Sequence, residues 1–252
     1  MTKEELYKTL VQKFAEVLQQ YQIEDAAVKI TCRSLSSEEA IGTTDRKDFP
    51  VITGKDVMIQ AEYNNCFGQA FTDSPSSYSG SLRGILKMDL VNNPHERSIF
   101  IATLNAVMKS LGLCDGTVHC RSDGPEKCAL KMSDYLHLNY PAVKKIALIG
   151  YQPALLEMLS KAGYSVRVLD LNKDNIGQVR YGICVEDGSI AKHDAVENFA
   201  DLVLCTGSTL CNGTIVDYLE VSKPVLFFGI TIAGSAGFLG VKRVCFAAGL
   251  SL

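Results

Sequence analysis

From Lys144 onward short apolar runs alternate with helical stretches, without any internal sequence repeat. "KKIALIG" (144–150) leads into the helical "PALLEMLSKAG", and "SVRVLD", "ADLVLC", "PVLFFG" and "VKRVCFA" follow. Apolar runs of this length are strands buried on both faces, and their alternation with helices predicts a doubly wound parallel sheet. Such sheets take their ligands in the crevice beyond the carboxyl ends of the strands. The turns after "LIG", "VLD" and "LVLC" are accordingly the first places to look for function.

The first half follows a different plan. Thr2 and Glu5 form a capping box ahead of the apolar stripe Leu6, Leu10, Phe14, Val17 and Leu18, which predicts an opening helix. "AAVKITCR" (26–33) alternates with the two-residue period of a half-buried strand, and "DVMIQAEY" (56–63) reads as another. "NNCFGQAFTDSPSSYSGSL" reads as a long loop rich in turn residues. A second helix starts at Asn93 and Pro94, with Glu96 at its third position, and ends at Gly112. Asn105 falls among apolar neighbours in the middle of that helix, where it must hydrogen-bond something specific. Strands and helices without regular alternation make this an α+β unit. The division is expected around residues 137–142, giving an α+β domain over 1–139 and a Rossmann-like α/β domain over 140–252.

Charge narrows the partners. With 25 basic and 28 acidic residues the formal net charge is −3, and no local Lys/Arg cluster offers a phosphate backbone a grip, so nucleic acid is not expected. The nine cysteines are an odd number at irregular spacing, which points to reduced thiols in a cytoplasm rather than a disulfide framework. "MTKEELYKTLVQKF" lacks the apolar run of a signal peptide. "PVLFFGITIAGSAGFLGV" (224–241) carries no charge, but Pro224 and four glycines favour a buried strand followed by a glycine-rich loop over a membrane span.

Three segments could carry chemistry. Gly150 ends one strand and Asp170 ends the next, 20 residues on, the spacing of a dinucleotide fingerprint; yet Gln152 and Leu155 replace its later glycines and would obstruct a pyrophosphate. "CTGSTLCNGT" (205–214) places Thr206, Gly207, Ser208, Thr209 and Asn212 at a strand-to-helix turn. That density of hydroxyl, amide and backbone N–H groups suits a polar ligand, although such residues also serve as ordinary caps. "GTVHCRSDGPEKCA" (116–129) holds the soft ligands His119, Cys120 and Cys128. Seven residues separate its cysteines and no second pair follows; if "GTVHC" is a strand, His119 and Cys120 point to opposite faces, so these three are weak metal candidates.

Taken together, "HCRSDGPEKCA", "CFGQAFT", "YSG", "ATLNA", "ALIGYQPALLEMLSKAGYSVRVLDLNKDNIG" and "TGSTLCNGT" resemble the family described as putative heavy-metal chelation. The resemblance spans nearly the whole chain. It implies an N-terminal domain like that of enolase joined to a Rossmann-like domain, with a ligand site in the cleft between them. Carried over by position, that site would draw on Tyr78 and Gly80, on Asn105, on Gly150 and Tyr151, on Asp170, and on Thr206, Gly207, Ser208, Thr209 and Asn212. The implied function is binding of a transition or heavy metal ion, or of a small-molecule metal chelate, with a homodimer among the expected assemblies. The alternative is an enzyme using a nucleotide or S-adenosylmethionine-type cofactor at the strand ends.

Overall fold

A computed structural model of the chain describes residues 1–23, 30–44, 46, 48–49 and 57–247. Helix α1 (Lys3–Gln20) begins with the expected capping box: Thr2 Oγ1 accepts the Glu5 amide at 3.2 Å, and Glu5 Oε2 accepts the Thr2 amide at 2.7 Å. Its stripe of Leu6, Leu10, Phe14 and Leu18 is buried. Next come β1 (Ile30–Ser34), α2 (Ser37–Ile41), β2 (Val57–Tyr63), β3 (Cys66–Thr72), β4 (Tyr78–Gly80), α3 (Leu82–Ile85) and α4 (Pro94–Ser110). The four strands form an antiparallel sheet in the order β3-β2-β1-β4. Of the strands expected over 26–33 and 56–63, residues 26–29 and Asp56 lie outside the described residues.

The loop expected over "NNCFGQAFTDSPSSYSGSL" is instead largely β3 and β4. Asn64 and Asn65 both take positive φ, 47° and 59°, which makes a two-residue hairpin turn of the hand that matches strand twist. Gly68 then lets α4 lie directly on β3: a Cβ there would stand 2.2 Å from the Ala106 amide nitrogen and 2.3 Å from the Ala102 carbonyl oxygen. Helix α4 is buried on every side from Arg97 to Met108, because the antiparallel sheet covers one face and the second half of the chain covers the other. An amphipathic stripe alone would have left one face wet.

Helix α5 (Gly124–Asn139) leads into the second half, which begins with β5 (Lys145–Ile149), α6 (Pro153–Lys161), β6 (Ser165–Asp170), β7 (Val179–Arg180), β8 (Ile183–Asp187) and α7 (Gly188–His193). A π-helical turn (Asp194–Phe199), β9 (Leu202–Thr206), α8 (Thr209–Asn212), α9 (Val216–Leu219), β10 (Val225–Phe228) and α10 (Ala236–Leu239) complete it. The sheet runs β10-β9-β5-β6-β8-β7, parallel except for β7 at its edge, so the fold joins an antiparallel sheet to a Rossmann-like parallel one. Alternate residues of its inner strands face opposite ways. Ala147, Ile149, Val203, Cys205 and Phe227 join the core of α1 and α4, whereas Ile146, Leu148, Leu202, Leu204 and Leu226 pack with α5 and α6.

"VKRVCFA" is not a full strand. Only Phe227 and Arg243 form a parallel bridge, since the Arg243 guanidinium turns away to the carbonyls of Gly229, Asp115 and Gly116 and ties the chain to the first half. The uncharged stretch 224–241 is β10 followed by a glycine-rich loop and α10. Among the described residues no helix is long and apolar enough to cross a membrane.

Candidate functional site

Strand order reverses between β5 and β9, and at that point in a parallel sheet the outgoing chains diverge and leave a crevice. A cavity of about 770 Å³ occupies it. Gly150 and Thr206, at the ends of β5 and β9, are its floor. Gly150 sits at φ +85°, and a Cβ on it would come within 2.5 Å of Thr206 Cγ2, so only glycine lets the two strand ends stay this close.

Asp170 braces the neighbouring turns. Its Oδ2 accepts the Tyr151 amide at 2.9 Å and the Asn175 side-chain amide at 3.3 Å, and its Oδ1 accepts the Asn172 amide at 2.7 Å. Both carboxylate oxygens are thus engaged within the protein, where a dinucleotide site would turn them to a ribose. Gln152 caps α6 by accepting the Leu155 amide, which takes up one of the donors a phosphate would use.

The hydroxyl-rich turn after β9 is held by the first half of the chain. The Tyr7 hydroxyl donates to the Leu210 carbonyl at 2.8 Å, and buried Arg97 donates to the carbonyls of Cys211 at 2.7 Å, Leu90 at 2.6 Å and Val91 at 2.9 Å. The Arg97 guanidinium also lies over the Tyr7 ring, 4.7 Å from its centroid. Within the turn, Thr206 and Ser208 hydroxyls are 2.8 Å apart and Thr209 Oγ1 donates to the Thr206 carbonyl at 2.7 Å.

The opposite wall is soft. The segment at His119 and Cys120 is irregular rather than a strand, so the expected divergence of the two side chains does not arise: both line the cavity. Helix α5 starts inside the stretch 116–129, with Pro125 in its first turn, and presents Pro125, Cys128 and Met132 at i, i+3 and i+7 to the same space. Cys245 joins them from beyond the bridge with β10. Burial, reinforced by the neighbouring thiols Cys128 and Cys245, pushes the Cys120 thiol well above its ordinary range. Cys128 rises to about 11 for the same reason. Burial lowers His119 to about 4, which keeps its imidazole neutral at physiological pH, and its Nδ1 has no hydrogen-bond partner among the described residues.

A strap from the first half closes one side. Ile41 and Phe49 line the cavity, and Arg46 between them donates to Glu126 of α5 at 2.8 Å, to Tyr181 at 2.5 Å and to Glu157 of α6. Asp48 accepts the hydroxyls of Tyr151 at 3.2 Å and Tyr181 at 2.9 Å.

Of the residues implied by the family resemblance, Gly150, Tyr151, Asp170, Thr206, Ser208, Thr209 and Asn212 line this one cavity, and the candidate metal ligands His119, Cys120 and Cys128 line it too. Tyr78, Gly80, Asn105 and Gly207 do not line it. Tyr78 lies in β4, its ring over Gly80 and Gly84, where a Cβ would stand 2.4 Å and 2.3 Å from its hydroxyl. Gly207 packs against Ile232. Asn105 is wholly buried: its Nδ2 donates to the carbonyls of Gln69, Ile230 and Thr231, and its Oδ1 accepts the Gly234 amide. Phe49, Phe71, Lys192, Asp217 and Cys245 also line it, without having been expected from sequence. The helical spacing of Pro125, Cys128 and Met132 is a local signal for that face of α5; Lys192 and Cys245 carry none. The charged lining residues are Asp73, Asp170, Asp174 and Asp217 against Lys192, which is itself paired to Asp217 at 2.5 Å. Among the described residues no group of three or more His, Cys, Asp or Glu stands close enough to hold a metal ion.

Residues 134–243 match the family described as "Putative heavy-metal chelation", the family the sequence motifs resemble. Two solved structures from that family, both of unknown function, are similar to the chain. One, from Pyrococcus horikoshii, is 18% identical with a TM-score of 0.53 and is matched over 88% of this chain and 78% of its own. The other, from Desulfitobacterium hafniense, is 16% identical with a TM-score of 0.49 over 73% of this chain and 72% of its own. The first supports the two-sheet α/β fold. No curated protein matches the chain.

Proposed function

We propose that the protein binds a small-molecule metal chelate in the cavity at the β5–β9 strand ends, between an α+β unit covering residues 1–139 and a Rossmann-like unit covering 140–252. The observation that carries this reading is the cavity itself: about 770 Å³, with four aspartates and one paired lysine among its lining residues. That volume suits an organic molecule rather than a bare ion. Its negative balance favours a cationic or neutral metal complex and disfavours polyphosphates. The family description points the same way. Because no three-ligand cluster is preformed among the described residues, the organic partner would supply much of the coordination shell. Thr206, Ser208, Thr209 and Asn212 would hydrogen-bond that partner, while Gly150 gives it access to the strand ends. The nucleotide-enzyme alternative gains nothing from a site where Asp170 and the first turn of α6 are already satisfied.

The test is calorimetric titration of tag-free protein with histidine complexes of Ni(II), Cu(II) and Zn(II), alongside histidine alone and the anionic citrate complexes. Binding of at least one histidine complex, weaker with citrate and absent with histidine alone, is expected. At 100 times its dissociation constant such a ligand should also stabilise the fold by about 2.7 kcal/mol. Binding of none of them, with a thermal shift from nucleotides or S-adenosylmethionine instead, contradicts the reading.

A further inference from the structure

Besides the hydroxyl turn, whose Cys211 also reaches the cavity, the lining includes a second wall rich in sulfur. Cys128 and Met132 are four residues apart on α5 and therefore project from the same helix face; Cys120 reaches the same space from the irregular segment before α5, and Cys245 from the chain after β10. The three thiols sit within electrostatic reach of one another, and the Phe246 backbone acts on the Cys128 sulfur, which places the Cys245–Phe246 backbone near α5. Arg243 and Lys131 are the cations that act on Cys128, and Glu126 is the anion that acts on Cys120. Neutral His119 adds an imidazole to the same wall.

Thiolate and thioether ligands select soft metals, while hydroxyl, carboxylate and carbonyl oxygens select hard ones. An oxygen-preferring or octahedral ion would need a ring of ligands that this wall does not present. A d10 ion such as Hg(II), Ag(I) or Cu(I) needs only two thiolates in a near-linear arrangement, so a site for it requires no cluster of three.

We propose that the sulfur wall, through Cys120 and Cys128 with Cys245 and Met132 behind them, is a binding site for a soft, thiophilic metal ion of two-coordinate preference. This deepens the metal-chelate reading and rests on it, since it assigns the metal end of the ligand to one wall and leaves the organic end to the turn at Thr206–Asn212. Binding is ligand exchange without redox change: each of two thiols gives up its proton to solvent, each sulfur forms one bond to the metal, and the metal loses two of its former ligands. Metal binding displaces the thiol protons, so the ion competes with protons for the sulfurs. Burial also keeps them from the indiscriminate oxidation that exposed thiolates suffer.

The test uses Hg(II) alone as the probe, because its thiolate complexes absorb in the near ultraviolet. The half-buried or exposed Cys66, Cys114 and Cys184, which do not line the cavity, are first replaced by serine to remove competing sites. One equivalent of Hg(II) is expected to bind this protein in the presence of excess glutathione, with the charge-transfer band. Adding Cys128→Ala or Cys120→Ala should weaken it by at least roughly 100-fold, the upper end of what loss of an outer-shell partner costs. Wild-type protein gives a second readout that does not depend on a variant folding: one equivalent of Hg(II) should protect the Cys120 and Cys128 peptides from maleimide labelling under mild denaturant. Protection of Cys66, Cys114 or Cys184 instead, or affinity unchanged in both alanine variants, overturns the proposal. If histidine complexes bind while Hg(II) ignores this wall, the site assignment falls and the chelate reading stands; if no metal species binds, both fall.

Discussion

Asn105 and Gly234, 129 positions apart in the chain, meet at 2.7 Å, the Asn105 side-chain oxygen accepting the Gly234 amide. The same side chain donates to three carbonyls, so one residue in the middle of α4 fastens β3 and the loop after β10 together. Replacing it with alanine strands a buried amide and three carbonyls, and unsatisfied buried groups cost about 1–3 kcal/mol each without adding fully. Asn105→Ala should therefore lose about 3 kcal/mol by urea unfolding. Asn105→Asp should lose at least as much, because a carboxylate cannot donate to the carbonyls. Stability unchanged in both would mean that the loop after β10 is not held this way.

Gly68 and Gly112 separate packing from backbone conformation. Gly68→Ala forces a methyl into the backbone of α4 and should cost about 3 kcal/mol, in the range of overpacked cores. Gly112 sits at φ +68° with nothing within 4 Å of its would-be Cβ, so Gly112→Ala should cost only the left-handed strain, about 1 kcal/mol. Thermal or urea melts of the two variants check the ordering.

His119 predicts an acid limb. Its folded pKa is depressed to about 4 by burial, below the ordinary 6.5, so the unfolded chain binds the proton more readily. The stability from neutral His119 is complete above pH 6.5 and is lost as pH falls from there toward 4, with a slope of at most about 1.4 kcal/mol per unit. His119→Gln removes that segment of the curve. Parallel stability curves for wild type and variant between pH 4 and 7 would show that His119 is not buried neutral.

Arg46 predicts a kinetic effect. Arg46→Met unties the strap from Glu126 and Glu157, both partly solvated, so the loss of stability should stay near about 1 kcal/mol. Ligand dissociation should quicken, as an untied strap no longer covers Tyr151. Stopped-flow displacement of a bound histidine complex measures it, and an unchanged off-rate would exclude a gating part for the strap.

The parallel sheet and its strand ends could be read from sequence because both rest on local signals: apolar runs of strand length, and Gly150 and the hydroxyl turn standing directly after them. The capping box of α1 and the Asn93–Pro94 start of α4 were visible for the same reason. Strand β3 was hidden by turn-forming residues around it, and its clearest signal, the Asn64–Asn65 turn, lies in backbone hand rather than in hydropathy. Which segments Asn105 fastens together could not be seen locally, since its partners Ile230, Thr231 and Gly234 lie some 125 to 129 positions away. The sulfur wall was discounted on a strand geometry that the segment at His119 does not adopt, and Cys245 reaches it only through tertiary folding.

On the proposed reading, the cavity at the β5–β9 strand ends holds a metal-bearing small molecule. Diffraction recorded across the metal absorption edge, on crystals grown with the histidine complex that binds tightest in solution, tests it most directly. One strong anomalous peak is expected inside the cavity, with density for the organic partner extending toward Thr206 and Asn212. Anomalous peaks confined to surface histidines and cysteines, with the cavity holding only solvent, would contradict it.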